Sequence, residues 1–198
     1  IVGEKGGVVL ADGDKMLAAR FFPEAKLNFA ENLLRGRGDG DAVVFHGEDK
    51  VVRRLSREEL RSEVSRLQQL FVSLGVKQGD RVAAMLPNMP EAVTGMLAAA
   101  SLGAVWSSCS PDFGEQGVLD RFGQIEPVVL IVPDGYWYAG KRIDVADKVA
   151  AIAEKLPSAR QVLVVDYLGT ADAVAARTPR AATLAEALEP FPPLPVRF

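Results

Sequence analysis

The sequence predicts an α/β fold: a doubly wound, mainly parallel sheet with flanking helices. Three observations predict it. Short, nearly all-apolar runs at 82–86, 104–107 and 128–132 read as strands buried on both faces. Between them lie longer segments with apolar residues at helical spacing, such as Val93, Met96, Leu97 and Ala100, which read as crossover helices. The junctions carry helix punctuation. Asn88-Met-Pro-Glu91 and Asp112-Phe-Gly-Glu115 each place a side-chain acceptor three residues before a glutamate, Pro90 falls in a first turn, and Gly103 stands where a helix stops.

In chain order, residues 1–20 are glycine-rich and weakly patterned, and read as an arm lying on the surface of something else. Asn28-Phe-Ala-Glu31 has capping-box spacing and predicts a short helix. The connector 36–40 is glycine-rich and flexible; its Arg37-Gly38-Asp39 triplet reads as chance composition rather than an adhesion signal. Residues 41–54 read as a hairpin turning at 48–50. Ser56-Arg-Glu-Glu59, flanked by Leu55 and Leu60, combines a capping box with a hydrophobic staple. The helix it starts carries Leu60, Val64, Leu67, Phe71 and Leu74 on one face and stops at Gly75. After Gly135 comes a loop of consecutive aromatics and cations, residues 136–142. A helix with Val145, Val149, Ile152 and Leu156 on one face follows and stops before Pro157, and 161–167 reads as a fourth buried strand. From Gly169 onward the chain is Ala-rich, then Pro-rich, with helix expected only at 184–188.

At 198 residues, 48% hydrophobic and 25% charged, the chain can bury one substantial core. A net charge of -3 carries no basic footprint, so neither nucleic acid nor an anionic membrane is an expected partner. Its apolar runs are too short to span a bilayer. One cysteine, Cys109, excludes an internal disulfide framework and a cysteine-rich metal site, and points to a cytoplasmic protein. The start on Ile1 and the Pro-rich end at Phe198 lead us to expect part of a longer polypeptide.

The common phosphate cradles, G-x-x-x-x-G-K-[ST] and G-x-G-x-x-G after a strand, are absent. His46, the single histidine, stands beside the hairpin turn without metal-ligand or triad spacing around it. Cys109 ends a strand where open α/β sheets place ligands, but no activating base accompanies it, and it reads as a small core residue. The aromatic-cation stretch is more chemical. Tyr136, Trp137 and Tyr138 could face a purine while Lys141 and Arg142 meet a phosphate; the other reading is a rim loop whose rings pack on the sheet edge and whose cations are solvated.

The run Gly79-Asp-Arg-Val-Ala-Ala-Met-Leu-Pro-Asn-Met-Pro-Glu-Ala-Val93, continued at 97–104, resembles the opening of the adenylate-forming acyl-CoA synthetases. Residues 22–34, Trp106-Ser-Ser-Cys-Ser-Pro-Asp-Phe-Gly114 and Phe122-Gly-Gln-Ile-Glu-Pro127 resemble the acetoacetate-activating branch of that family. The resemblance implies that residues 1–40 form an N-terminal arm with a short helix, and that 41–198 begin the AMP-binding part of the large N-terminal domain, incomplete at its C-terminal end. It further implies a two-step ligase using ATP, Mg2+ and coenzyme A, with acetoacetate as the acid and the remainder of the same polypeptide as partner. The family's Ser/Thr/Gly-rich loop ending in lysine does not occur in these 198 residues, so this chain alone is expected to be inactive and to hold no catalytic residue.

Acetyl-type relatives hold coenzyme A phosphates with an Arg-x-x-Arg pair. The matching stretch here is Tyr138-Ala-Gly-Lys141, which keeps Lys141, gains Arg142 as a neighbour and replaces the first arginine by Tyr138. Where those relatives have Gly-Gly before an aromatic near the pantetheine channel, this chain has Pro111-Asp112 before Phe113. The resemblance therefore assigns coenzyme A contacts to Tyr138, Lys141, Arg142, Asp112 and Phe113. Two other readings stay open: a synthetase for acetate, propionate or another short acid, and a stand-alone nucleotide- or protein-binding module without catalysis.

Overall fold

The computed structural model describes residues 1–36, 38–48 and 50–198, so Arg37 of the Arg-Gly-Asp triplet and Asp49 of the hairpin turn lie outside the described residues. The arm is mostly exposed and contains one short antiparallel pair, β1 (Leu10–Ala11) with β2 (Arg20–Phe21). Helix α1 (Phe29–Leu34) starts as its spacing predicts, with the Asn28 side chain accepting from the Glu31 amide. β3 (Asp41–Gly47) and β4 (Val51–Ser56) form the expected antiparallel hairpin. Helix α2 (Arg57–Ser73) opens on the complete Ser56/Glu59 capping box, and Leu55 and Leu60 are both buried beside it. Ser56→Ala is expected to cost about 1 kcal/mol of local helix stability, read as amide exchange at Glu59 roughly fivefold faster than in the unaltered protein.

The remaining elements build the sheet. In order they are β5 (Arg81–Met85), α3 (Pro90–Ser101), β6 (Val105–Cys109), α4 (Glu115–Phe122), β7 (Val129–Pro133), the pair β8 (Gly135–Tyr138) and β9 (Lys141–Asp144), α5 (Ala146–Lys155), β10 (Gln161–Val165), α6 (Ala171–Arg177), β11 (Ala181–Thr183) and α7 (Leu184–Leu188). Five strands pair in parallel in the order β11-β10-β7-β5-β6.

The all-apolar strand runs are explained by two cores, one on each sheet face. Val82, Ala84, Val129, Ile131, Leu163 and Val165 point to the core shared with α1, α2, α3 and α7. Their neighbours Ala83, Met85, Leu130, Val132, Val162 and Val164 point to the core shared with α4, α5 and α6. Alternation survives, but both sides of it are apolar because helices cover both faces. α3 leaves β5 toward the first face and α5 leaves the adjacent β7 toward the second, so the chain reverses direction between these two strands. That reversal creates the crevice where open α/β sheets bind ligands.

Several expectations need correction. Neither Asn88 nor Asp112 caps a helix. α3 starts at Pro90 with Met89 as its N-cap and α4 starts at Glu115 with Gly114 as its N-cap, and neither cap residue makes a side-chain bond. Proline in the first helical position fixes the start of α3 one residue later than the Asn88 spacing requires. The 136–142 loop is instead the tight hairpin β8–β9, turning through Ala139 and Gly140 at φ 50° and 73°. The Ala-rich stretch after Gly169 holds α6 and the edge strand β11, neither of which was expected. Gly75 and Gly103, at φ 75° and 67°, end α2 and α3 in the left-handed conformation their positions predict.

The Pro-rich end is tied to the polar side of α2. Arg66 donates to the carbonyls of Leu188 and Phe191, both at 2.9 Å, and Gln69 donates to Pro192 at 2.8 Å. Ser65 and Gln68 accept from the amides of Leu194 and Arg197, both at 3.0 Å. No helix among the described residues is long and apolar enough to cross a membrane.

Candidate functional site

Three loops meet at the carboxyl ends of the parallel strands: 110–114 after β6, the β8–β9 hairpin after β7, and 166–170 after β10. Asp134 joins the last two. It is 1% exposed, and its carboxylate accepts from the amides of Tyr167 (2.8 Å), Leu168 (2.9 Å) and Thr170 (2.7 Å) and from the Thr170 hydroxyl (2.9 Å). The Thr170 hydroxyl in turn accepts from Arg142 Nη2 at 3.4 Å. One buried carboxylate thus shapes the 166–170 loop and, through Thr170, reaches a hairpin cation.

The hairpin register decides which side chains act together. Tyr136 pairs with Ile143 and Tyr138 with Lys141, while Trp137 pairs with Arg142. Side chains alternate along a strand and directly paired residues share a face. Tyr136, Tyr138 and Lys141 therefore lie on one face, and Trp137 and Arg142 on the other. The two cations that are adjacent in sequence are separated in space. The turn is held from outside, because Gly140 donates its amide to Glu48 Oε2 at 2.8 Å, and Lys50 lies 5.9 Å from the centre of the Trp137 ring. Tyr138 is 62% exposed and Lys141 and Arg142 are exposed as well.

Tyr136 links the hairpin to the 110–114 loop. It is buried, and burial first, with hydrogen bonding to Asp112 second, pushes its phenol up to about 12. The unfolded phenol ionises near pH 10. The stability contributed by neutral Tyr136 is therefore fully present below pH 10 and is lost as pH rises through about 12. Near-ultraviolet tyrosinate absorbance is expected to lose its latest-ionising component in Tyr136→Phe.

The 110–114 loop is held at each end. Asp112 accepts from the Ser110 hydroxyl at 2.8 Å. Arg121 lies over the Phe113 ring, 4.0 Å from its centre, and donates to the Gly117 carbonyl at 2.8 Å. Lys148, in the first turn of α5, donates to the carbonyl of Pro111 and, at 3.2 Å, to that of Phe113. Burial lowers its affinity for a proton, and the nearby Asp112 charge opposes that fall. Phe113 is 38% exposed and Asp112 is exposed, so this loop presents a carboxylate and an aromatic edge beside the Tyr136 face of the hairpin.

Of the residues singled out in the sequence, Asp112 and Phe113 thus share a loop, and Tyr138 with Lys141 shares the hairpin face that Tyr136 connects to it. Arg142 stands apart. Cys109 is buried and its thiol is raised by burial, so it is a core residue rather than a nucleophile. His46 is exposed on β3. Sequence reasoning missed Asp134, Thr170, Glu48, Lys50 and Lys148. Each acts across the fold on a distant loop, and none has a local pattern that marks it. Among the described residues no three His, Cys, Asp or Glu side chains converge to hold a metal.

A family model described as AMP-binding enzyme matches residues 30–194. The acetoacetyl-coenzyme A synthetase of Rhizobium meliloti (strain 1021) is 58% identical over 198 residues, covering 100% of this chain and 30% of the relative. The acetoacetyl-CoA synthetase of Macaca fascicularis is 41% identical over 158 residues, covering 78% and 23%. The solved structure of acetoacetyl-CoA synthetase from Streptomyces lividans superposes with a TM-score of 0.85 at 41% identity, covering 96% of this chain and 29% of that one. The chain thus spans less than a third of the length of these relatives.

Proposed function

This chain belongs to the AMP-binding enzyme family, and from that premise we propose that it is the N-terminal part of an ATP-dependent acid:coenzyme A ligase that activates acetoacetate. The observation that carries the proposal is the 58% identity that runs through the whole chain to a relative named for that activity. In the first half-reaction the acetoacetate carboxylate attacks the α-phosphorus of ATP, giving the acyl adenylate and releasing pyrophosphate. In the second, the thiolate of coenzyme A attacks the acyl carbon and AMP leaves.

Within that scheme residues 1–40 are an N-terminal arm and 41–198 the first part of the AMP-binding domain, the remainder of the polypeptide completing it. The chain supplies a wall for coenzyme A at the carboxyl edge of the sheet. Lys141 offers a charge-assisted bond to phosphates of its nucleotide and Tyr138, on the same hairpin face, a ring; Arg142 lies on the opposite face and adds positive charge to the rim; Asp112 and Phe113 border the pantetheine arm. Charge stabilisation at the α-phosphorus needs donors that these residues do not supply, so this chain alone neither adenylates nor transfers. Among the described residues no three His, Cys, Asp or Glu side chains converge, so these residues do not fit Mg2+ as a ligand set. Two features agree with completion by the remainder of the same polypeptide: among the described residues β6 pairs only with β5, and its Val105 is 51% exposed. A reducing cytoplasm suits the single thiol, Cys109.

The test is acid-dependent ATP–pyrophosphate exchange by the full-length protein with acetoacetate, acetate, propionate and butyrate. Acetoacetate is expected to give the highest kcat/KM; a higher value for another acid overturns the acetoacetate assignment, and no exchange with any acid overturns the ligase.

A further inference from the structure

The loop that borders the proposed pantetheine path is clamped through its backbone by a lysine. Lys148 Nζ donates to the carbonyls on both sides of Asp112, those of Pro111 and Phe113, from a different element of the fold. Its ammonium also lies close enough to Asp112 to feel that carboxylate. The loop's own bonds all converge on Ser110: its hydroxyl donates to the Asp112 carboxylate at 2.8 Å and accepts from the Asp112 amide at 3.3 Å, and its carbonyl accepts from the Phe113 amide at 3.3 Å, so none of them holds the carbonyls of Pro111 and Phe113. Two carbonyls pointing at one ammonium fix the intervening peptide planes, and so fix where the Asp112 carboxylate and the Phe113 ring project. The opposite side of the same α5 turn is anchored in the core through Val145, Ala146 and Val149, so the lysine stem has a rigid base. Arg121 lies over the Phe113 ring, 4.0 Å from its centre.

We infer that Lys148 is a positioning residue for the thiol-transfer half-reaction: its ammonium holds the 110–114 loop in the shape that admits the pantetheine arm, without touching ATP or the acid. The inference rests on the proposed ligase reading, and its loop arm can be judged without it. It separates the half-reactions, because adenylation needs no pantetheine and transfer does.

The experiment compares the full-length protein with its Lys148→Met and Lys148→Arg variants by three readouts. Amide exchange at Phe113 is expected to be about tenfold faster in Lys148→Met, since the loop loses its clamp. The KM for coenzyme A is expected to rise about tenfold while acetoacetate-dependent ATP–pyrophosphate exchange stays within twofold of the unaltered enzyme. Lys148→Arg, which keeps the charge and the donors, is expected to restore the KM to within threefold. Unchanged exchange at Phe113, or an unchanged KM for coenzyme A, overturns the inference. If Lys148→Met loses both half-reactions together, recovery of the coenzyme A KM in Lys148→Arg supports positioning, and failure of Lys148→Arg to recover it overturns positioning. Absence of ATP–pyrophosphate exchange in the unaltered protein is a failure of the ligase reading, and shows itself before either variant is measured.

Discussion

Asp134→Ala is expected to unlock the 166–170 loop and the base of the β8–β9 hairpin at once, at a cost of about 3 kcal/mol or more. The carboxylate is 1% exposed and satisfies three amides and a hydroxyl from Tyr167, Leu168 and Thr170. Those donors sit in a loop with no strand or helix partner for them, so removing the acceptor leaves them to whatever water can enter. Hydrogen bonds to an ionised acceptor are the strong ones, which places the loss at the upper end for a single side chain. The measurement is amide exchange at Leu168 and Thr170, expected to accelerate by about a hundredfold, against little change at Val82 in the centre of the sheet. Asp134→Asn keeps the shape and one carbonyl acceptor, and is expected to fall between. Equal exchange in all three proteins would show that the carboxylate fills space without organising the loop. A functional echo is expected too, because Thr170 is the contact through which Arg142 is steadied.

How far the sequence reaches can be judged from particular residues. Three of the four strand runs, those of β5, β7 and β10, were legible because each buries both faces, and an unbroken apolar run does that; the run at 104–107 is a strand too, but β6 is half-exposed, with Val105 51% exposed. The fifth strand was not legible: Ala181, Ala182 and Thr183 carry no strand signature of their own, and the ladder of β10 imposes extension on them. Ser56 capped as expected, with Leu55 and Leu60 buried beside it. Asn88 had the same three-residue spacing, but Pro90 set the start of α3 instead. Capping spacing alone is therefore weak evidence. For the candidate site, the sequence pointed to residues 111–113 and 136–142, both of which the fold brings to the carboxyl ends of the parallel strands. It could not show that Lys141 and Arg142 face opposite ways, since that depends on reading 136–142 as a hairpin with its turn at Ala139 and Gly140. Nor could it show Asp134 or Lys148 at work, because each is an ordinary charged residue until folding brings it to a loop 30 or more positions away.

The register of that hairpin makes the proposed coenzyme A wall testable one cation at a time. Lys141 shares its face with Tyr138 and with Tyr136, which joins the Asp112 loop; Arg142 shares the other with Trp137. If the nucleotide and the pantetheine arm of one ligand follow a continuous surface, the Lys141 face is the one that runs on to Phe113. Lys141→Glu in the full-length enzyme is therefore expected to raise the KM for coenzyme A by roughly 10–100-fold, the range for losing one charge-assisted phosphate contact and adding repulsion. Arg142→Glu is expected to raise it only a fewfold. Adenylation measured by ATP–pyrophosphate exchange is expected to stay within twofold in both, because the proposed wall leaves the acid and ATP to the rest of the polypeptide. Salt supplies an independent check: raising ionic strength screens exposed charges, so the coenzyme A KM of the unaltered enzyme is expected to climb with salt more steeply than that of Lys141→Glu. A larger effect from Arg142→Glu would move the phosphates to the Trp137 face, where Lys50 already lies over the indole. Equal, small effects from both variants would remove the hairpin from the coenzyme A path altogether.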